Sequence, residues 1–170
     1  MKVRAERVPI ETIREWVSYD AASGHIVWVK GKKAVSVGMR AGYVADTGHR
    51  VFKIEQKRYF AHRVAWSMHH GRWPPDGFDV DHINGNRDDN SAANLRLATR
   101  AQNIANSRLS SSNTSGIKGV TWCKAGRKWK AQIRVYGQRI NLGYHHHIDD
   151  AAKAYRDAAV HHFGRFANFG

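Results

Sequence analysis

Cysteine is almost absent: Cys123 is the single one in 170 residues. No intrachain disulfide can form and no cysteine-rich zinc site can be assembled, which favours a reducing cytosol. Acidic side chains are scarce too, 14 against 28 lysines and arginines, giving a formal net charge of +14 and a pI near 10.3. That excess points to a polyanionic partner, most simply nucleic acid; the plain alternative is an ordinary basic protein, a ribosomal one included. No run approaches the roughly 18 apolar residues of a membrane span. The first seven residues have no apolar stretch behind their charges, so they do not read as a signal peptide. What is present suffices for a core: 42% hydrophobic residues and six tryptophans. At this length the chain makes one domain or two small ones.

Residues 107–115 (Ser-Arg-Leu-Ser-Ser-Ser-Asn-Thr-Ser) are small and polar and mark a linker. They divide the chain into 1–106 and 116–170. In the first part, 9–17 predicts a short helix with Pro9 in its first turn, and 24–30 a strand. Residues 50–54 and 58–60 predict a hairpin. Apolar residues at 61, 64, 65 and 68 have helical spacing, ended by Gly71 and Pro74-Pro75. Then come a strand over 78–82, a polar turn over 84–90, a strand at 95–97, and a helix opened by Thr99. Gln102, three residues on, completes a capping box. After the linker, 119–122, 129–135 and 139–143 read as strands and 149–162 as a helix. Asp149 and Asp150 suit its N-terminus, and Ala151, Ala154, Tyr155, Ala158 and Ala159 form its apolar face. The expected class is α+β, with no internal repeat.

The chemistry concentrates in Asp81-His82-Ile83-Asn84-Gly85-Asn86, followed by Asn94-Leu95-Arg96 and Gln102-Asn103. A carboxylate that suits a hard cation sits beside a proton acceptor. Neighbours on a regular strand face opposite sides, so the strand must end or twist for Asp81 and His82 to share one site. Taken singly, Asp81, Asn84, Asn86 and Asn90 are also turn formers and His82 an ordinary surface histidine. A calcium loop fits less well, because the closing glutamate of an EF-hand is missing. The joint spacing, set in strand, loop, strand and helix, resembles the HNH (ββα-metal) nucleases over residues 60–106. It is closest to the variant with Asn in place of His at the last position, common in phage and intron-associated endonucleases.

That resemblance implies a DNA endonuclease whose catalytic set is Asp81, His82, Asn94 and Asn103. Asp81 and Asn103 would be metal ligands, His82 the general base, and Asn94 the brace of the loop between the strands. Two oxygen donors suit Mg²⁺ or Mn²⁺ and disfavour zinc, and a neutral His82 can take a proton near pH 7. Asn84, Gly85, Asn86, Asn90 and Leu95 also fall in the family pattern. So does His62-Arg63, as structural support or a phosphate contact. One site per chain implies nicking by a monomer, with a double-strand break needing a transient dimer or a second visit. The resemblance further implies a free-standing homing or phage-type enzyme, cytoplasmic in a bacterial or phage-infected cell, acting on double-stranded DNA and not on a membrane.

Residues 116–170 resemble the AP2/ERF DNA-binding domain. The shared features are Gly119-Val120, Trp129 with Ala131 and Ile133, Leu142-Gly143, the alanine-rich helix with Tyr155, and the closing Asn168-Phe169. The resemblance implies a three-stranded sheet laid in the DNA major groove, with Lys118, Lys130, Gln132, Arg134, Arg139 and Asn141 on its reading face. Thr121 and Asn141 replace an Arg and a Trp that the family normally uses, so a docking mode carries over but no target sequence. His145-His146-His147 have no ligand spacing and read as a phosphate-contacting or solvated loop. Most of the tryptophans read as core. Two other classes remain open: a non-catalytic DNA-binding regulator on an inactive nuclease scaffold, and an RNA-binding or ribosome-associated basic protein.

Overall fold

Short apolar strands that cannot bury both faces alone need partners, and this chain supplies them in two separate groups. In a computed structural model, which describes residues 8–31 and 35–169, the contacts divide the chain into two compact units, Met1–Leu97 and Ala98–Gly170.

In the first unit, helix α1 (Ile10–Arg14) follows Pro9 and turns Ile10 and Ile13 into the core. It is shorter than the 9–17 pattern predicts, because the fully buried Val17 opens strand β1 (Val17–Tyr19) instead. β1 pairs antiparallel with β2 (Ile26–Trp28), Val17 opposite Trp28. A second sheet has the order β3 (Tyr43–Val44), β4 (Arg50–Ile54), β5 (Lys57–Phe60). β4 and β5 form the expected hairpin, turned by Glu55 and Gln56 at φ 45° and 66°. Two left-handed residues in succession match the twist of tightly joined strands. Helix α2 (Ala61–His70) ends at Gly71 in the left-handed conformation, as a glycine C-cap does. Strand β6 (Phe78–His82) has the predicted bounds and pairs with β7 (Leu95–Thr99). The core joins Ile13, Val17, Trp28, Phe52, Val64 and Trp66 with Val80 and Leu95.

The second unit begins within β7. Thr99 then caps helix α3 (Arg100–Asn106): its side chain accepts from the Gln102 N–H while the Gln102 side chain accepts from the Thr99 N–H. Strands β8 (Val120–Cys123), β9 (Lys128–Val135) and β10 (Gln138–His145) form an antiparallel sheet with β9 central. Helix α4 (Ile148–Phe163) lays Ala151, Tyr155, Ala159 and Phe163 against Val120, Ala131, Ile133 and Val135. Gly119 permits the approach: a Cβ there would lie 2.2 Å from the Tyr155 ring.

Two features differ from the sequence expectation. α3 groups with the second unit, since Ala101 and Ala105 pack into the second core. The serine-rich stretch is also tied down. Asn113 Oδ1 accepts from the N–H groups of Ser115 (3.0 Å) and Gly116 (2.8 Å), and Ser115 Oγ donates to the Val120 carbonyl at 2.7 Å.

Candidate active site and nucleic-acid face

Strand β6 stops at His82, and the chain turns at once through Ile83 and Asn84. The strict alternation of strand faces is lost there, so Val80, Asp81 and His82 are buried in succession. The loop after His82 is built from side chains that replace missing backbone partners. Asn94 Oδ1 accepts from the Asn84 N–H at 2.9 Å, and Asn94 Nδ2 donates to the Asp89 carbonyl at 2.8 Å. The Ile83 N–H donates to the Asn94 carbonyl at 2.9 Å. Asn94 thus ties the start of the loop to its end. Asn84 and Asn86 hold the turn itself, accepting from the N–H groups of Asn86 and Asp88.

Asn90 is more than a turn former. It is 1% exposed, and its Oδ1 lies 3.1 Å from His82 Nε2. Asn90 Nδ2 donates to the Asp88 carbonyl at 3.3 Å, which turns Oδ1 to the imidazole as an acceptor and favours the tautomer with the proton on Nε2. The lone pair is then on Nδ1, the nitrogen that can act as a base. Burial holds the His82 imidazole below its ordinary pKa, while the Asn90 hydrogen bond and the Asp81 charge pull it back up. Two further rings crowd it: the His62 and His49 centroids lie 5.2 and 5.8 Å away. Burial pushes both well down, His49 to about 4. Among the described residues, the buried Nδ1 of His62 has no hydrogen-bond partner. His62 and Arg63 are each 7% exposed within α2, a structural placement.

Asp81 is 6% exposed, and its Oδ2 accepts from Arg96 Nε at 3.0 Å. A buried carboxylate needs such a partner. Asn103 lies half-buried in α3, in the second unit. Among the described residues no three His, Cys, Asp or Glu side chains are arranged to hold a metal. What the motif offers is one carboxylate and one carboxamide, both oxygen donors. That set fits a hard divalent ion that keeps several waters and takes few protein ligands.

The loop is clamped from below as well. Arg50 grips Asp88 with Nε and Nη2 at 2.8 and 2.9 Å, and Arg40 adds a contact at 3.5 Å. Tyr19 Oη donates to the Asn90 carbonyl at 2.9 Å. Tyr19, His49 and Arg50 were not foreseen from the sequence, nor was the pairing of Arg96, a residue of the motif stretch, with Asp81. The first three reach the motif only through sheet pairing and the packing of distant turns, and no spacing announces them.

A profile of the HNH endonuclease family matches residues 59–105. Protein 3.8 of Escherichia phage T7 is 34% identical over 108 residues, 64% of this chain and 88% of that protein. Residues 59–105 are thus an HNH endonuclease family domain. An uncharacterized HNH endonuclease of Acanthamoeba polyphaga mimivirus is 27% identical over 165 residues, covering 93% of this chain and 81% of that one. No solved structure gives a significant match.

Beyond the matched HNH segment, the sheet of the second unit arranges polar side chains in cross-strand pairs. Arg134 of β9 lies opposite Arg139 of β10, Gln132 opposite Asn141, and Lys130 opposite Thr121 and Tyr144. Alternation puts these on one side of β9, with Ala131, Ile133 and Val135 buried on the other. Arg134, Arg139 and Asn141 are exposed, Lys130 and Gln132 half-buried. Lys118 is not among them. It precedes β8, and its Nζ donates to the carbonyls of Ala105 (2.6 Å) and Ser107 (2.5 Å). Burial draws its ammonium down to about 8. His145 closes β10 with Nε2 at 3.3 Å from the Leu142 carbonyl, and His147 sits at the N-cap of α4. Trp28 and Trp66 are core, whereas Trp122 is 45% exposed beside Trp129. No helix among the described residues is long and apolar enough to cross a membrane.

Proposed function

We propose that this protein is a metal-dependent DNA endonuclease of the phage or homing type, directed to duplex DNA by an AP2/ERF-like sheet. The observation that carries the catalytic part is the pairing of His82 Nε2 with Asn90 Oδ1, next to a buried acidic neighbour, Asp81. It leaves a neutral imidazole with its lone pair on Nδ1 at the very end of a strand. Asp81 and Asn103 would hold Mg²⁺ or Mn²⁺, which when bound supplies Lewis-acid stabilisation of the phosphorane and of the leaving 3′ oxygen. His82 takes the proton of the attacking water. Asn90 holds the ring and its tautomer. Asn94 keeps the loop closed so that Asp81 and His82 stay side by side. Arg96 neutralises Asp81 before the ion and substrate arrive.

Targeting rests on the basic outer face of the second sheet. Lys130, Gln132, Arg134, Arg139 and Asn141 form a surface suited to phosphates and base edges. Like charges facing one another, as Arg134 and Arg139 do, are unfavourable unless an anion lies between them. The net charge of +14 supports tight, salt-sensitive association with DNA.

The test is a plasmid and genome-fragment cleavage assay in Mg²⁺ or Mn²⁺, with EDTA and His82→Ala as controls. The expected result is metal-dependent nicked or linear product that falls by about 10²–10⁴-fold in His82→Ala while DNA binding is kept. Tight binding without cleavage of any fragment, in either metal, would replace the nuclease with a DNA-binding regulator.

A further inference from the structure

In the proposed hydrolysis the oxygen of water bonds to phosphorus and its proton passes to His82. The bond from phosphorus to the 3′ oxygen breaks, and water protonates the departing oxygen. Between these events the non-bridging oxygens carry more negative charge than in the substrate. Donors fixed beside them favour that state over the ground state. His82, Asn90 and Asn94 serve the water and the loop, and Arg96 is already paired with Asp81. A cation for the non-bridging oxygens has to come from elsewhere.

Arg87 stands in the loop that follows His82 and is exposed. Its place is set by the turn between β3 and β4. That turn closes through backbone bonds, from the Gly48 N–H to the Ala45 carbonyl at 2.7 Å and from the Ala45 N–H to the His49 carbonyl at 2.9 Å. The Arg87 stem lies along it, since a Cβ on Gly48 would stand 3.5 Å from Arg87 Cδ. Arg87 Nη1 donates to the Thr47 carbonyl at 2.6 Å. The same turn leads into His49, whose ring centroid is 5.8 Å from that of His82. Burial comes first in lowering the pKa of His49 and of His82, and the Arg87 charge adds to it at each ring, as a nearby cation does.

The acids of the loop are engaged with other groups. Asp88 is held by Arg50 and Arg40. Asp89 accepts from Asn84 Nδ2 at 2.7 Å and from Ser91 Oγ at 2.8 Å. Among the described residues no carboxylate pairs with Arg87. One of its N–H groups rests on a neutral carbonyl, and the rest of the fork is open. A planar fork of this kind matches two oxygens of a phosphate.

We propose that Arg87 is a further catalytic residue: it binds the non-bridging oxygens of the phosphate that is cut, beside His82 and braced on the β3–β4 turn. The assignment rests on the nuclease reading and deepens it, by naming the group that meets the scissile phosphate. Arg87, Thr47, His49 and His82 all belong to the first unit. An arginine that only stapled the loop to the turn would act through the fold, and a small cation could not replace it. An arginine that meets the phosphate can be replaced in part by free guanidinium.

The experiment uses the full chain as wild type, Arg87→Met and Arg87→Lys. Single-turnover cleavage is measured at saturating DNA and Mn²⁺, with and without guanidinium chloride far below its denaturing range. DNA affinity in EDTA, the Mn²⁺ concentration for half-maximal cleavage and melting curves accompany it. Arg87→Met is expected to cut about 10²-fold more slowly, with its Mn²⁺ dependence intact and its DNA affinity changed far less than its rate. Guanidinium should restore part of that rate and leave wild type unchanged. Arg87→Lys keeps the charge without the fork and should fall between the two. A wild-type chain that cuts while a folded Arg87→Met keeps its rate overturns this assignment alone. A slower Arg87→Met that guanidinium does not lift does so too, and leaves Arg87 as a staple between loop and turn. If Arg87→Met does not fold, Arg87→Lys decides, and a wild-type rate there overturns the assignment. A wild-type chain that cuts no DNA in Mg²⁺ or Mn²⁺ overturns the nuclease reading, and the assignment with it.

Discussion

His82 can act as a base only when neutral, and its surroundings keep it so. Burial lowers its pKa against the pull of Asn90 and Asp81, so cleavage should persist to lower pH than an exposed histidine would allow. The Asn90 side chain is the control. Asn90→Ala frees the ring to change tautomer and should lower the cleavage rate at saturating DNA by at least about tenfold. An unchanged rate would remove Asn90 from the site. Acid stability has a different source. His49 is drawn down to about 4 in the folded chain, whereas a free imidazole titrates near 6.5. Between these values the unfolded chain binds the extra proton. The stability from the neutral ring is complete above about 6.5 and is lost as pH falls toward about 4. Urea unfolding across that window should show a steeper loss for wild type than for His49→Gln. Parallel curves would place the acid sensitivity elsewhere.

At the scale of elements, the loop over 84–90 is held by parts of the chain far away in sequence. The turn between β1 and β2 brings Gly24, at φ +72°, so close that a Cβ would lie 2.3 Å from the Ser91 nitrogen and 2.4 Å from the Asn90 carbonyl carbon. Both are backbone atoms and cannot step aside. Gly24→Ala should therefore destabilise the first unit by roughly 1–3 kcal/mol. It should also slow cleavage by displacing Asn90 from His82. Thermal melting and a rate at saturating DNA check both parts; a variant as stable and active as wild type would show that the two turns are not coupled. The hydrogen bond from Tyr19 Oη to the Asn90 carbonyl bears on the same spot.

For the whole molecule, the proposed association with DNA would draw on its charge. A net charge of +14 supplies affinity without sequence preference, and the exposed Arg134–Arg139 pair gathers part of it on one sheet face. If Arg134 contacts a phosphate, Arg134→Ala should weaken binding to all duplexes alike and flatten the log K against log[salt] slope by about 1. If it reads a base, the loss should be confined to certain sequences. An affinity unchanged on every duplex would remove this face from DNA binding.

Local pattern was enough for much of the architecture. Strand β6, the capping box of α3, helix α2 with its glycine end and the order of the three C-terminal strands all follow from short-range rules, because periodicity and caps act within a few residues. The Asp81-His82 motif was legible for the same reason, since its spacing is itself local, while the role of Asn94 as a brace came from the family resemblance. Strands β1 and β3 were not legible; two or three residues carry no periodicity. Nor were the partners of the motif. Arg96 on Asp81, His49 beside His82 and Arg50 on Asp88 meet across sheets and turns, and the grouping of α3 with the second unit depends on which core receives Ala101 and Ala105. The amino-acid sequence alone determined the chemical groups, their local order and the basic charge. Only the tertiary structure decided that Asn90 faces His82 Nε2 and that Lys118 closes a helix end, because both depend on hydrogen bonds between side chains and groups whose meeting the fold sets.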